Sequence, residues 1–307
     1  MSTTQLRAIA AAVAVLLALW GASELWSRRS NAAPETRRMA ALGAGDADTI
    51  AITRGADSVI LGKHAPSAWT VNGFAAGQSA VDTLLEALRD SVRVELVAQS
   101  PSSFARMGVD SAGGRLVRVG GGAKTLALLI VGAQGPEYDA SYVRRPGDAH
   151  IYLWSGRLPM LVARGVDQWR DHQIAAVAPE SIGTVEIGRG RLRYTVHKQG
   201  ATWALTGARS ADSAAVGRLI QRFRTVSASG FATARQTDSL RFTRPQRRVT
   251  VRDAQGRELL ALAFDSAATG FWVRRPSGGA VYRMDTWQVD QLTPRDSTLL
   301  PKAAHTK

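Results

Sequence analysis

The chain of 307 residues contains no cysteine. That excludes disulfides, thiolate catalysis and cysteine-ligated zinc, and it leaves the compartment open, because a cysteine-free chain suits any redox environment. Lysine is almost as scarce. Only Lys63, Lys124, Lys198, Lys302 and Lys307 are present, so arginine carries the formal net charge of +14. A surplus of that size raises nucleic-acid binding as a class. Yet the chain has no block of five or more basic residues, no RNA-binding strand signature and no helix-turn-helix pattern, so nucleic acid is not the expected partner. An anionic lipid headgroup, an anionic glycan or an acidic protein suits the charge better. Motifs for metals and nucleophiles are missing as well. His64, His150, His172, His197 and His305 form no HExxH and no close pair, and there is no Gly-x-Ser-x-Gly elbow. No catalytic, cofactor-binding or metal-binding residue is assigned, and a non-enzymatic protein is expected.

What the chain does contain is a long internal repeat. Tyr142-Val143-Arg144-Arg145-Pro146, running on to Ile151-Tyr152, returns 130 residues downstream as Trp272-Val273-Arg274-Arg275-Pro276, running on to Val281-Tyr282. The flanking positions repeat in the same order. Ile50 and Ile52 return as Val185 and Ile187, Lys63 as Lys198, and Trp69-Thr70-Val71 as Trp203-Ala204-Leu205. Val81, Leu84, Leu85 and Leu88 return as Val216, Leu219, Ile220 and Phe223, and Val117 and Val119 as Val249 and Val251. The offset drifts from 135 to 130, as small loop deletions would produce. A tandem duplication is expected.

Within each copy, alternating apolar stretches predict three strands, apolar residues at i, i+3, i+4 and i+7 predict one helix, and about four more strands follow. Ser79 is the expected N-cap of the first helix. Connections of hairpin length imply mostly antiparallel pairing, so the fold class is α+β. The expected boundaries are a leader at 1–30, a flexible tether at 31–46, a first repeat at 47–165, a linker at 166–181, a second repeat at 182–300 and a disordered tail at 301–307.

Residues Ala8 to Ala22 are apolar apart from one glycine. Taken from Leu6 to Trp26 as a helix, the segment spans about 31 Å, enough for a bilayer core. It reads either as an uncleaved anchor or as a signal peptide with Arg7 as its charged start and Ser30-Asn31-Ala32 as a cleavage site. Arg28, Arg29, Arg37 and Arg38 beyond the segment would hold the bulk of the chain in the cytoplasm by the positive-inside rule. A six-residue polar leader is instead the form of an export signal, and export is the expectation. The predicted location is the bacterial cytoplasmic membrane, with a single N-terminal anchor at residues 6–26 and the remainder outside the cytoplasm.

The strand-Lys-Trp opening of each copy, Gly108-Val109-Asp110, the Tyr-Val-Arg hairpin and Trp169-Arg170-Asp171 together resemble the bacterial domain-of-unknown-function family 4340 over most of residues 47 to 295. The resemblance implies an exported, anchored accessory or scaffold protein, often encoded beside ABC transporter subunits of the gliding-motility type. A permease, an ATPase or another envelope protein is then the implied partner. It carries no catalytic residues across. Ser111-Ala112 departs from the family pattern, where a proline is expected, and Pro245 supplies that proline in the second copy.

Three stretches invite chemistry. Gly120-Gly121-Gly122-Ala123-Lys124-Thr125 is loosely phosphate-loop-like, but Ala123 stands where the motif needs glycine, and a strand rather than a helix follows. Asp82, Glu86 and Asp90 form a row on one helix face, but their counterparts are Gly217, Gln221 and Thr225, so a solvated face accounts for them. Asp110-Ser111-Ala112-Gly113-Gly114 reads as a turn. Trp69 and Trp203 are expected in the core of each copy. The candidate binding residues are Arg144, Arg145, Arg274 and Arg275, one from each hairpin contributing to a matched basic patch for an acidic partner.

Overall fold

The computed structural model describes residues 46–65, 68–90, 92–207 and 209–301, together with a strand at Glu35–Arg37. The leader and the last residues of the tail lie outside the described residues. Among the described residues no helix is long and apolar enough to cross a membrane. The chain divides into two compact units after Asp171.

The first unit runs β1 (Glu35–Arg37), β2 (Thr49–Arg54), β3 (Asp57–Ala65), β4 (Ala68–Val71), β5 (Phe74–Ala75), α1 (Gln78–Arg89), β6 (Val92–Ala98), β7 (Arg115–Gly121), β8 (Lys124–Gln134), β9 (Ala140–Arg144), β10 (Ile151–Ser155), α2 (Leu158–Val162) and α3 (Val166–Trp169). Its strands form one sheet in the order β1-β6-β10-β9-β8-β7-β2-β3-β4-β5. The second unit runs β11 (Gln173–Ala175), β12 (Thr184–Arg189), β13 (Leu192–Gln199), β14 (Thr202–Leu205), β15 (Arg209–Ser210), α4 (Ser213–Arg222), β16 (Val226–Ser227), β17 (Gly230–Phe231), α5 (Ala234–Ser239), β18 (Arg247–Arg252), β19 (Glu258–Ser266), β20 (Phe271–Arg274), β21 (Tyr282–Met284) and α6 (Thr286–Leu292). Its main sheet has the order β15-β14-β13-β12-β18-β19-β20-β21-β17. Read from the other end, that is the order of the first sheet without β1. Every strand pairing among the described residues is antiparallel.

Registers agree as well as order. Ile50 pairs with Val119 and Leu61 in the first unit; Val185 pairs with Val251 and Val196 in the second. Alternation puts Ile50, Ile52, Val117 and Val119 on the buried face of the first sheet, where the helix α1 packs through Val81, Leu84, Leu85 and Leu88. Burying each such side chain fully stabilises the fold by about 1.5–3 kcal/mol. In the second unit α4 does the same through Val216, Leu219 and Ile220, with Phe223 at its C-cap. Trp69 is buried in the first core, and Trp203 packs half-buried against the second.

The two helices begin differently. Gly77, not Ser79, is the N-cap of α1, and no side chain caps it. Its backbone N–H is instead tied to the Trp169 carbonyl at 2.8 Å, which fixes the start ahead of Ser79. Asp212 caps α4, its carboxylate accepting from the Ala214 and Ala215 N–H groups at 2.8 and 3.0 Å. The Asp212 N–H is tied to the Leu299 carbonyl, again at 2.8 Å.

The residues expected as a linker, 166–181, divide between the two units. Trp169 is fully buried in the first core and closes the first unit, as Leu299 closes the second. The later part, Gln173–Ala175, forms β11 on Val226–Ser227 and belongs to the second unit. A four-residue helical turn bearing one large aromatic residue leaves no periodicity to detect in sequence, which is why 166–171 reads as a connection. Within the expected tether, Glu35–Arg37 instead pair with Val92–Val94 as an edge strand. The polar stretch after α1 holds β6, whose Val94 is buried between flanking charged residues.

Candidate functional site

The Tyr-Val-Arg hairpins occupy the same place in both sheets, but their arginines have different surroundings. On the face turned away from the main core, β7, β8 and β9 align Leu116, Ile130 and Arg144 in one row. The corresponding row on β18, β19 and β20 is Arg248, Ala263 and Arg274.

In the first unit the row is covered. After β6 the chain makes a short helical turn at Pro101–Ser103 and returns across the sheet. Met107, Val109, Ile130 and Ile151 bury one another there, with Phe104, Leu116 and Tyr142 packed around them. The covering segment lies so close that a Cβ on Gly114 would fall 2.4 Å from Ile130 Cγ2, and one on Gly132 would fall 2.4 Å from the Met107 carbonyl oxygen. Arg144 is built into this layer. Its Nε donates to the Val109 carbonyl at 2.7 Å, and its guanidinium lies 4.1 Å from the centre of the Phe104 ring. Burial lowers its pKa from the ordinary arginine value, while Asp110 and Asp148 act the other way. It stays charged at neutral pH.

In the second unit the row borders a cavity, with Ala263 at its middle buried. The segment between β17 and β18 forms α5, capped by Thr233, and then carries Phe242 at φ +49°. Between this segment and the sheet lies a cavity of about 390 Å³. Arg241, Arg248, Arg274 and Arg275 line it, over Ala261 and Ala263, with Glu258 the one acid among the described residues that line it. Arg248 and Arg274 stand two strands apart, about 10 Å by strand spacing. The small Ala263 leaves the space between them unfilled. Arg274 Nε is closed off from solvent and has no hydrogen-bond partner among the described residues. Arg275 donates to the Ile174 carbonyl and Arg241 to the Asp238 carbonyl.

The hairpins therefore do not present equivalent arginines. Arg144 is engaged within its own unit. Arg145 and Arg275 lie just past the ends of β9 and β20, so strand alternation does not set their directions. Arg274 and Arg275 meet in one cavity, joined by Arg241 and Arg248, which strand reading alone missed. Arg248 was legible in principle: it stands where the other copy has Leu116, and a charge replacing an apolar residue on the outer face of a repeat marks an uncovered surface.

The remaining candidates have local explanations. The glycine run is the β7–β8 turn, with the Gly122 N–H donating to Asp48 Oδ2 at 2.6 Å, and a Cβ on Gly121 would meet the Asp46 carbonyl oxygen at 2.3 Å. Asp110 closes its own turn by accepting from the Gly113 N–H at 2.7 Å. Asp82 and Glu86 are exposed on the face of α1 opposite its buried stripe, and Asp90 is exposed at its extended C-cap. His150 bonds Asp148, His172 the Ala228 carbonyl, His197 Gln199 and His64 Thr70, while His305 lies outside the described residues. Among the described residues no cluster of His, Asp and Glu is arranged to hold a metal.

These features define an α+β protein of two antiparallel units with one strand order, the second carrying an arginine-lined cavity. A family model described as Domain of unknown function (DUF4340) matches residues 69–239, more than half of the chain, and the chain belongs to that family. No curated protein and no solved structure gives a match.

Proposed function

We propose that this chain is a non-enzymatic accessory subunit of a membrane assembly, working outside the cytoplasm, whose contact chemistry is recognition of an anionic group in the second unit. The cavity of Arg241, Arg248, Arg274 and Arg275 carries this proposal. Four guanidinium groups face one carboxylate, and planar forks of N–H donors suit phosphate, sulfate or carboxylate oxygens. The shared strand order supports descent from a duplicated domain in which one copy closed its outer face and the other kept it open. Anchoring through residues 6–26 follows from the apolar leader, and an ABC-type transport system as the setting follows from the family resemblance.

A pull-down from gently solubilised membranes, with the leader intact and a C-terminal tag, tests the subunit role. Stoichiometric recovery of permease or ATPase subunits is expected. Recovery of the chain alone, where a known membrane complex survives the same conditions, would count against it and leave an envelope binding module for an anionic glycan, lipid headgroup or acidic protein.

A further inference from the structure

A second pair of arginines also differs between the units, on the core-facing side at the end of each sheet. In the second unit Arg189 and Arg247 face each other across β12 and β18. Like charges opposite one another on a sheet destabilise it. Here one carboxylate bridges the two and offsets their repulsion. Asp290, on α6, accepts from Arg189 at 3.1 Å and from Arg247 at 2.5 Å. The Arg247 guanidinium also lies 4.6 Å from the centre of the Phe271 ring, and Arg189 donates to the Thr293 carbonyl at 3.1 Å.

The register of β2 on β7 puts Arg54 and Arg115 at the same two places in the first unit, one step beyond the Thr53–Leu116 pair. None of the balancing groups is there. The helix corresponding to α6 is α2, Leu158-Pro159-Met160-Leu161-Val162, which has no acid. Ser141 stands where the second unit has Phe271: it pairs with Trp154 as Phe271 pairs with Met284. Neither Arg54 nor Arg115 makes a side-chain hydrogen bond or ion pair among the described residues. A cleft of about 590 Å³ opens beside them, with Arg164 and apolar Val162 and Val166 on its walls. A second space of about 260 Å³ is also lined by Arg115. Asp57 lines the larger cleft without forming an ion pair to either arginine. Burial, and next the Arg54 charge, push the Arg115 guanidinium below its ordinary pKa, while Asp57 opposes them.

We infer that the Arg54–Arg115 cleft of the first unit is a carboxylate site, filled by an Asp or Glu side chain of an acidic polypeptide segment from a partner protein. The second unit shows how such a pair is satisfied: by one carboxylate on a short helix whose neighbouring apolar residues, Val289 and Leu292, are buried beside it. The cleft offers the same two cations beside apolar Val162 and Val166, and its one acid among the described lining residues, Asp57, forms an ion pair with neither. This site is separate from the cavity of Arg241 and Arg274, and its test does not depend on that proposal.

The test uses the full chain at low salt and a capped, fluorescent peptide carrying the sequence of residues 286–292, Thr-Trp-Gln-Val-Asp-Gln-Leu. Its counterpart with Asn for Asp is the first control, and succinate is the small-carboxylate arm. The Asp peptide should bind at least 10-fold more tightly than the Asn peptide. The double variant Arg54→Gln, Arg115→Gln should abolish that difference, and Arg241→Gln, Arg274→Gln should leave it intact. Equal binding of the two peptides, absence of binding, or an unchanged Asp preference in the Arg54, Arg115 variant would each overturn the inference. Succinate competing as well as the Asp peptide would overturn the polypeptide source and assign the cleft to a free carboxylate. A folding check accompanies it: Arg115→Gln should not lower the Tm of the unliganded chain, because it removes repulsion, whereas Arg247→Gln should lower it by breaking a satisfied ion pair. A Tm loss for Arg115→Gln equal to that for Arg247→Gln would show that Arg115 is already partnered, which the inference denies.

Discussion

The outer faces of the two sheets are built on the same row of positions and end in opposite states. Leu116, Ile130 and Arg144 lie under a covering loop; Arg248, Ala263 and Arg274 border a cavity. The strand order, the register and the hairpin arginine are common to both. What differs is the volume at the middle position and the polarity at the first. Isoleucine at 130 gives the loop something apolar to cover, and Arg144 then becomes a strut for that loop. Alanine at 263 and arginine at 248 remove the reason to cover, so Arg274 is left facing a space. A repeated residue is therefore not a repeated function; its neighbours across the strands decide whether it is structural or available.

The largest expected effect sharpens the comparison at the closing turns. Trp169→Ala should destabilise the first unit by about 3–5 kcal/mol, and Leu299→Ala the second by about 2–5 kcal/mol. Denaturant unfolding of the full chain checks both. A loss under about 1 kcal/mol for Trp169→Ala would mean that 166–171 is a connection after all.

Next is the middle of the row. Ile130→Ala should cost the first unit about 2 kcal/mol or more by opening a void under the loop. Ala263→Ile should cost the second unit little, because the space is already empty, and thermal unfolding distinguishes the two. An equal loss from both would show the second face to be packed.

The hairpin arginines come third. Arg144→Gln should cost about 1.5–3 kcal/mol, the range for a hydrogen bond made by a charged donor. Arg274→Gln should cost clearly less than Arg144→Gln, because Arg274 makes no side-chain hydrogen bond among the described residues.

The smallest effect is a pH dependence confined to the first hairpin. The His150 backbone N–H and then its ring hold the Asp148 carboxyl below its ordinary pKa, against a small opposing effect of burial. A depressed carboxyl contributes stability that is present above the unfolded pKa near ~3.9 and lost as pH falls through the lower folded value. The second hairpin has Gly278 and Ala280 at these positions, so amide exchange followed down through pH 4 should show loosening at 145–150 and none at 275–280. Asp148→Asn should remove the difference.

Much of this architecture was legible in the residues themselves. Apolar periodicity located α1, α4 and most strands, because those elements bury one face and repeat at 2 or 3.6 residues. The repeat gave the matching order. Short elements escaped: β6 carries one buried valine among charges, and α3 is a single turn whose contribution is one tryptophan. The residues of the proposed anion site were half legible. Arg274 and Arg275 stood out as a repeated motif, but Arg144 shares the motif and is structural. Only cross-strand neighbours, which depend on register and not on sequence proximity, separate them. Arg248 entered through those neighbours, and Arg241 through the segment that crosses the cavity.

In the proposed site Arg274 is available to an anion, whereas Arg144 is engaged by the Val109 carbonyl and the Phe104 ring. The direct measurement is the affinity of the full chain for inorganic pyrophosphate, compared among the unaltered chain, Arg144→Gln and Arg274→Gln at one salt concentration. Both variants lose one positive charge, so a general electrostatic attraction would weaken them equally. A loss of about 10-fold is expected for Arg274→Gln, the equivalent of about 1.4 kcal/mol, and no loss for Arg144→Gln. Equal losses, or binding that neither change affects, would contradict it.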